Sequence, residues 1–271
     1  MTRRSAPYTR YAAVYDLIGQ RVFGERIAEA TLAWLRERGV SPRHVADLAC
    51  GTGAATLVFA AAGASAIGVD RSPEMLALAE RAAAEAGLSA TWLEQDLRDL
   101  SLPRPVDVAT SFFDSINYLV EDDDLRTVFD RVSTSLVEGG YFVFDLNTRR
   151  RLAEGWGNTS VIAADRDDLF GAYRSWFEPE TGLSPLVLTF FRRRDEEDAC
   201  WERFDEEHVE RAYDLDEVAE YLSTAGLRVI EIRAFLDGSG VLGGRGSEES
   251  ERVVFFAQRP SGPPETNAGP G

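Results

Sequence analysis

Between residues 44 and 146 short apolar runs alternate with helix-like runs, and this alternation restricts the possible folds more than any other feature. HVADLA (44–49), SAIGVD (65–70), ATWLEQ (90–95), VDVATSFF (106–113) and GYFVFDL (140–146) read as buried strands. ATLVFAAAG (55–63), SPEMLALAERAAAEAG (72–87) and a stretch from about 122 to 137 read as the helices between them. In the second of these, Ser72 is placed to cap the start, Pro73 to occupy the first turn and Gly87 to end it. Strands that take turns with helices are βαβ units, so the expected fold is an α/β Rossmann-like parallel sheet.

A further helix is expected over residues 21–38, closed by Gly39 and Pro42. The rhythm breaks near residue 150. AYRSWFE (172–178), PLVLTFFRRR (185–194) and ACWERFDEEHVERAY (199–213), separated by ETG and DEED, read as an antiparallel meander. Helical spacing returns in LDEVAEYLSTAG, and LRVIEIRAF and RVVFFAQR then close the sheet. The expected organisation is a core over 1–150, a β insertion over 151–212, completion of the core over 213–259 and a disordered tail over 260–271. An insertion after the fifth strand leaves from the carboxyl edge, where open α/β sheets bind ligands. The glycine-rich DGSGVLGGRGSEESE (237–251) should open on the same edge and is expected to act as a mobile lid.

The net charge of −17 argues against a nucleic-acid partner, since phosphates would be repelled. RRR at 192–194 is followed at once by DEED and reads as a solvated strand end. With no run of 18 apolar residues, a membrane span is not expected. MTRRSAPYTRY lacks the apolar stretch of a secretory signal. Two cysteines, Cys50 and Cys200, fit a reducing, cytoplasmic location, and with two histidines they are too few for tetrahedral zinc, so no metal is expected. A β insertion with free edges leaves both a monomer and a homodimer open.

The loop after the first strand, ADLACGTGAAT (46–56), decides what the sheet binds. A dinucleotide fingerprint needs a third glycine, but threonine occupies that place at Thr56, against a nicotinamide oxidoreductase. Asp70 ends the second strand, where a carboxylate can accept from both hydroxyls of a ribose. Asp96 ends the third, within reach of an adenine amino group. Three acids, Asp47, Asp70 and Asp96, beside a glycine turn form a cradle for adenosine without phosphates.

VADLACGTG, GVDRSPEML, EQDLRDL and GGYFVFDLN together resemble the class I S-adenosylmethionine-dependent methyltransferase family. The resemblance spans residues 8–147 and 213–259 and implies a seven-stranded sheet. YAAVYD, FFDSINYL, the β insertion and FDEEHVERAY are similar to a subgroup with an antiparallel-sheet insert, which includes amino-sugar N,N-dimethyltransferases and other bacterial relatives. The resemblance implies S-adenosylmethionine as cofactor and S-adenosylhomocysteine as product. It implies that Gly51 and Gly53 let the backbone approach the methionine end, with Asp47 and Ala49 in the same loop. It gives Asp70 the ribose, Arg71 and Met75 the flanks of the adenosine, and Asp96 with the Leu97 amide the adenine. Phe112 and Phe113 are implied beside the sulfonium, and Tyr8, with Tyr15 nearby, over the methionine part.

Two departures bear on the acceptor. The amino-sugar enzymes carry histidine where this chain has Tyr118, and a tyrosine near position 25, where it offers only Phe23 and Glu25. The expected partner is a small-molecule acceptor with Asn117, Trp176 and Arg211 on its side of the site. An amine needs only a neutral lone pair held in line, whereas a hydroxyl or carbon acceptor needs a general base. His208 is the candidate base, since imidazole ordinarily titrates near neutrality. It is expected to face Tyr118 across the transferable methyl. N-methylation leads, O- or C-methylation with His208 as base is the alternative, and a non-catalytic cofactor-binding scaffold remains open. His44 begins the first strand, away from the site, and Cys50 is a small loop side chain.

Overall fold

In the computed structural model the described residues are 7–193, 200–236 and 240–262. A short helix α1 (Ala12–Tyr15) and a long helix α2 (Arg21–Glu37) precede β1 (His44–Leu48), α3 (Ala54–Ala61), β2 (Ser65–Asp70), α4 (Pro73–Ala86), β3 (Thr91–Glu94), β4 (Val106–Ser111), α5 (Asp122–Ser135) and β5 (Leu136–Asn147). Next come β6 (Thr159–Asp165), β7 (Leu169–Ser175), β8 (Leu183–Arg193) and β9 (Trp201–Arg211). Then α6 (Leu215–Thr224), β10 (Arg228–Leu236), β11 (Val241–Arg245) and β12 (Arg252–Gln258) complete the chain.

The large sheet runs β11-β10-β12-β5-β4-β1-β2-β3. Its β3 to β5 half is parallel, and β12 lies antiparallel between β5 and β10. Side chains alternate strictly across it, as a sheet covered on both faces requires. Val45, Val143, Val254 and Phe256 pack toward α2 and α3, burying Ile27, Trp34 and Phe59. Ala46, Phe142, Phe144, Val253 and Phe255 pack toward α5 and α6, burying Phe129, Val132, Val218 and Leu222. Tryptophan at position 34 lies 4.0 Å from Phe256, ring to ring, and its Nε1 donates to Glu231, so its one polar atom is satisfied.

The strands β6-β7-β8-β9 form a separate antiparallel sheet. Its apolar face holds a third core, in which Leu188, Phe190 and Phe204 meet Tyr11 and Val14 of the N-terminal segment. The segment preceding α2 is therefore fixed by the insertion.

Part of the segment expected to be a lid (237–251) is a strand. Val241–Arg245 pairs with β10 as an edge strand, an eighth strand beyond the seven expected. The residues after it are tied down: Glu248 accepts the Leu215 amide, and Thr148 Oγ1 donates to the Ser250 and Glu251 carbonyls. The start of that segment (237–239), the DEED turn (195–198) and the tail from 263 lie outside the described residues.

Candidate active site

A cleft with about 1150 Å³ of empty space, partly open to solvent, lies at the carboxyl edge above β1 and β4. The chain leaves β1 for a helix on one face and β4 for a helix on the other, so the edge parts there and leaves a crevice.

The β1–α3 loop forms its floor. Ala49, Gly51 and Gly53 all adopt left-handed backbone, with φ of 54°, 53° and 77°. A Cβ on Gly51 would meet nothing within 4 Å, so bare backbone faces the cleft there. Gly53 does not line the cleft. A Cβ on it would fall 2.7 Å from the Trp92 ring and 2.9 Å from Ala79, so this glycine makes room for α4 and β3.

Asp47 is buried, and both its oxygens are used: Thr56 Oγ1 donates at 2.6 Å and Thr110 Oγ1 at 2.9 Å. Burial drives its carboxyl up to about 6 despite those bonds. The threonine that replaces the third fingerprint glycine thus joins the first turn of α3 to the end of β1. Asp70 accepts the Gly51 amide at 2.8 Å and the Ser72 amide at 2.9 Å, and burial again raises its carboxyl. Asp96 is gripped by Arg98, whose Nε and Nη2 donate at 2.8 and 2.7 Å, and this fork holds its carboxyl below the usual range. Arg71, Met75 and Leu97 line the same wall, with Gln95 and Arg98 beside them.

The opposite wall is aromatic. Tyr8, Tyr15, Phe112, Phe113 and Tyr118 line it, with ring centres 6.2 Å apart for Tyr8–Tyr15, 5.8 Å for Tyr8–Tyr118 and 6.2 Å for Tyr15–Phe113. Phe113 and Asp114 are consecutive non-glycine residues with φ of 61° and 53°. Such backbone costs about 1–3 kcal/mol per residue and persists only when the surroundings enforce it. Here Asp145 accepts both amides, at 2.6 and 3.0 Å, while buried Arg252 bridges Asp145 and Asp114. The role of Arg252, which begins β12, has no local signal in the sequence.

Behind Tyr118 lies a hydrogen-bonded chain. Tyr8 Oη donates to Tyr118 Oη at 2.9 Å, and Tyr118 Oη lies 2.8 Å from His208 Nδ1. His208 Nε2 lies 3.3 Å from Glu206 Oε2. Since Tyr118 accepts from Tyr8, its own proton points to Nδ1, and Nε2 carries the imidazole proton toward the carboxylate.

Four expectations are corrected. His208 does not face Tyr118 across a gap. It is 2% exposed, bonded to Tyr118 and absent from the cleft lining, because Glu206, His208 and Glu210 share the buried face of β9. Asn117 is wholly buried, and its amide donates to the Asn147 and Arg211 carbonyls while accepting the Asn147 amide. Arg211 donates to the Val120 carbonyl and pairs with Asp122 at 2.8 Å. Trp176 follows the end of β7, 38% exposed, with its amide on the Pro185 carbonyl. None of the last three lines the cleft. From the sequence Glu206 is legible only as an acidic neighbour of His208; its place on the buried face of β9 and its bonds to the N-terminal segment come from the fold.

An open parallel sheet whose first three strands end in acids around one cleft defines a nucleoside-binding α/β protein. A methyltransferase domain family matches residues 45–140. A protein of Geobacillus sp. (strain WCH70) with a provisional methyltransferase name is 32% identical over 221 residues, covering 80% of this chain and 85% of the relative. The dTDP-4-amino-2,3,4,6-tetradeoxy-D-glucose N,N-dimethyltransferase of Saccharopolyspora spinosa is 31% identical over 137 residues, 50% of this chain and 53% of that one. The crystal structure of an S-adenosylmethionine-dependent methyltransferase from Clostridium acetobutylicum ATCC 824 superposes with a TM-score of 0.80 at 30% identity, covering 94% and 99% of the two chains. The chain belongs to the S-adenosylmethionine-dependent methyltransferase family; it is an enzyme, and its cofactor is S-adenosylmethionine.

The cleft suits that cofactor. Gly51 exposes backbone where a side chain would fill the space, acids at the ends of β2 and β3 offer acceptors to hydroxyl and amino groups, and the aromatic wall suits a cation.

Proposed function

We propose that this enzyme transfers the methyl group to a small-molecule amine. The observation that carries this reading is the aromatic lining of Tyr8, Tyr15, Phe113 and Tyr118, which can hold a nitrogen as it gains charge; the hydrogen-bonded chain from Tyr118 to His208 and Glu206 gives its proton an outlet. S-adenosylmethionine supplies an activated methyl group. In the reading proposed here, Asp70 accepts from the ribose hydroxyls, Asp96 and the Leu97 amide recognise adenine, and Arg71 and Met75 flank it. Asp47 works indirectly, by fixing the loop that carries Ala49 and Gly51.

Tyr8 and Tyr15 over the methionine end of the cofactor and Phe113 beside the sulfonium also border, with Tyr118, an aromatic space suited to an amine before and after it gains charge. When the nitrogen forms its new bond to carbon it becomes an ammonium with one proton to lose. Tyr118 takes that proton as it hands its own to His208 Nδ1, and the imidazolium faces the Glu206 carboxylate. Residues 1–150 with 213–259 then serve as the cofactor core, and 151–212 as the acceptor-side cover. Three relatives with amino-sugar N,N-dimethyltransferase names support an amine over a hydroxyl or carbon acceptor.

The test is a screen of amines, alcohols and carbon acids with a labelled methyl donor. Label should pass to amines, and transfer to alcohols alone would overturn the assignment.

A further inference from the structure

The strap over the cleft, residues 7–20, is fastened at a few points, and the most heavily used is one carboxylate. Glu206 on β9 is wholly buried. Its Oε1 accepts the Arg10 amide at 2.6 Å and the Tyr11 amide at 2.9 Å, and its Oε2 accepts the Tyr8 amide at 2.8 Å. The same Oε2 lies 3.3 Å from His208 Nε2. On the core side, Ser72 Oγ donates to the Tyr8 carbonyl, and Thr52 Oγ1 donates to Asp16. Tyr8 itself has a φ of 62°, an unfavourable backbone for tyrosine that this pair of fastenings enforces.

Tyr8 thereby belongs to both systems. Its main chain is held by Glu206 and Ser72, and its hydroxyl begins the chain to Tyr118 and His208. Burial alone would raise the Glu206 carboxyl. The bonds from His208 and from the Tyr11 and Arg10 amides outweigh that effect and leave it below the ordinary glutamate range. A charged acceptor at this point can satisfy three amides and an imidazole N–H together, which a neutral amide side chain cannot, since half of it donates.

We propose that Glu206 is a positioning residue with two tasks: it fastens the N-terminal strap over the cleft, and it holds His208 with Nε2 protonated so that Nδ1 accepts from Tyr118. The second task rests on the amine-methylation reading; the first does not. Strap closure and proton acceptance then share one anchor, so the acceptor space and its proton outlet are assembled together.

The test uses the full chain, with no acceptor present. In Glu206→Gln, amide hydrogen exchange at Tyr8, Arg10 and Tyr11 should rise about tenfold or more, the loss expected when buried donors lose a charged acceptor. Binding of S-adenosylhomocysteine should weaken about tenfold, while exchange in β8 and in β1 stays as in the wild type. His208→Asn, which spares the carboxylate, should leave strap exchange within about twofold of the wild type. Nitrogen-15 NMR of wild-type His208 should show a protonated Nε2 and a bare Nδ1, a readout available even if the glutamine variant fails to fold. Wild-type exchange at 8–11 in Glu206→Gln, or a protonated Nδ1 in the neutral wild-type imidazole, would overturn the proposal. Failure of every amine to accept a methyl group would defeat the functional reading and leave the strap result standing.

Discussion

The two walls of the cleft are built in different ways. The cofactor wall draws on residues at or just beyond strand ends: Asp47 near the end of β1 and Gly51 after it, Asp70 as the last residue of β2, and Asp96 after β3. Each is placed by its own strand, and adjacent parallel strands bring the ends together by topology alone. The acceptor wall draws on Tyr8, Tyr118, Glu206 and His208, from the N-terminal strap, the turn after β4 and the inserted sheet. Nothing local places these side chains together; they meet only because the insertion folds back on the strap. Chemistry carried by a repeating backbone unit is therefore fixed by short segments, whereas chemistry assembled across an insertion depends on the whole fold.

The largest effect is expected from Asp70→Ala. It removes the proposed ribose acceptor and leaves the partly buried Gly51 and buried Ser72 amides unpaired, each worth about 1–3 kcal/mol. Calorimetry with S-adenosylhomocysteine should show at least about a hundredfold loss of affinity. An affinity within tenfold of wild type would show that the acids of this wall do not hold the cofactor.

A smaller effect is expected from pH. The Asp47 carboxyl in the folded protein titrates near 6, above the ordinary aspartate value, because burial disfavours its charge. The sign follows: the folded state binds this proton more tightly, so its contribution is full below the ordinary value and is lost as pH rises through about 6. Asp145, also raised to about 6 by burial, acts in the same direction. Urea unfolding of the cofactor-free protein should therefore show stability declining between about pH 4 and 6.5. Asp47→Asn should reduce that decline by roughly 2 kcal/mol, and an unchanged decline would refute the assignment.

Trp176→Ala should do least. The ring stands outside the cleft, so steady-state kinetics with an amine acceptor should stay within about twofold of the wild type. A large rise in KM would return Trp176 to the acceptor site.

Much of the fold was legible because its signals are local. β2 and α4 have the expected limits, with Ser72 Oγ accepting the Met75 amide and Gly87 in left-handed backbone. β11 was not legible: VLGGR has weak strand character and becomes a strand only because the edge of β10 is available to it. The acids and aromatics of the cleft could be proposed from the sequence since strand ends and the family motif fix them. The placement of Asn117 and Arg211 could not, because each depends on carbonyls or a carboxylate supplied by distant segments. His208 was expected at the cleft and lies behind Tyr118 instead. An imidazole on an inner strand face reaches the cleft only through Tyr118, and that register is set by pairing of β8 with β9.

The central claim is that Tyr118 and His208 act on the acceptor as one unit, separate from cofactor binding. A double-mutant cycle of Tyr118→Phe and His208→Asn, followed by single-turnover transfer to an amine identified by screening, tests it most directly. Each single variant should lose about a hundredfold in rate, the double variant should lose no more than either, and all three should bind S-adenosylhomocysteine within about twofold of wild type. Losses that multiply to about ten thousandfold in the double variant, or single variants with wild-type rates, would contradict the account.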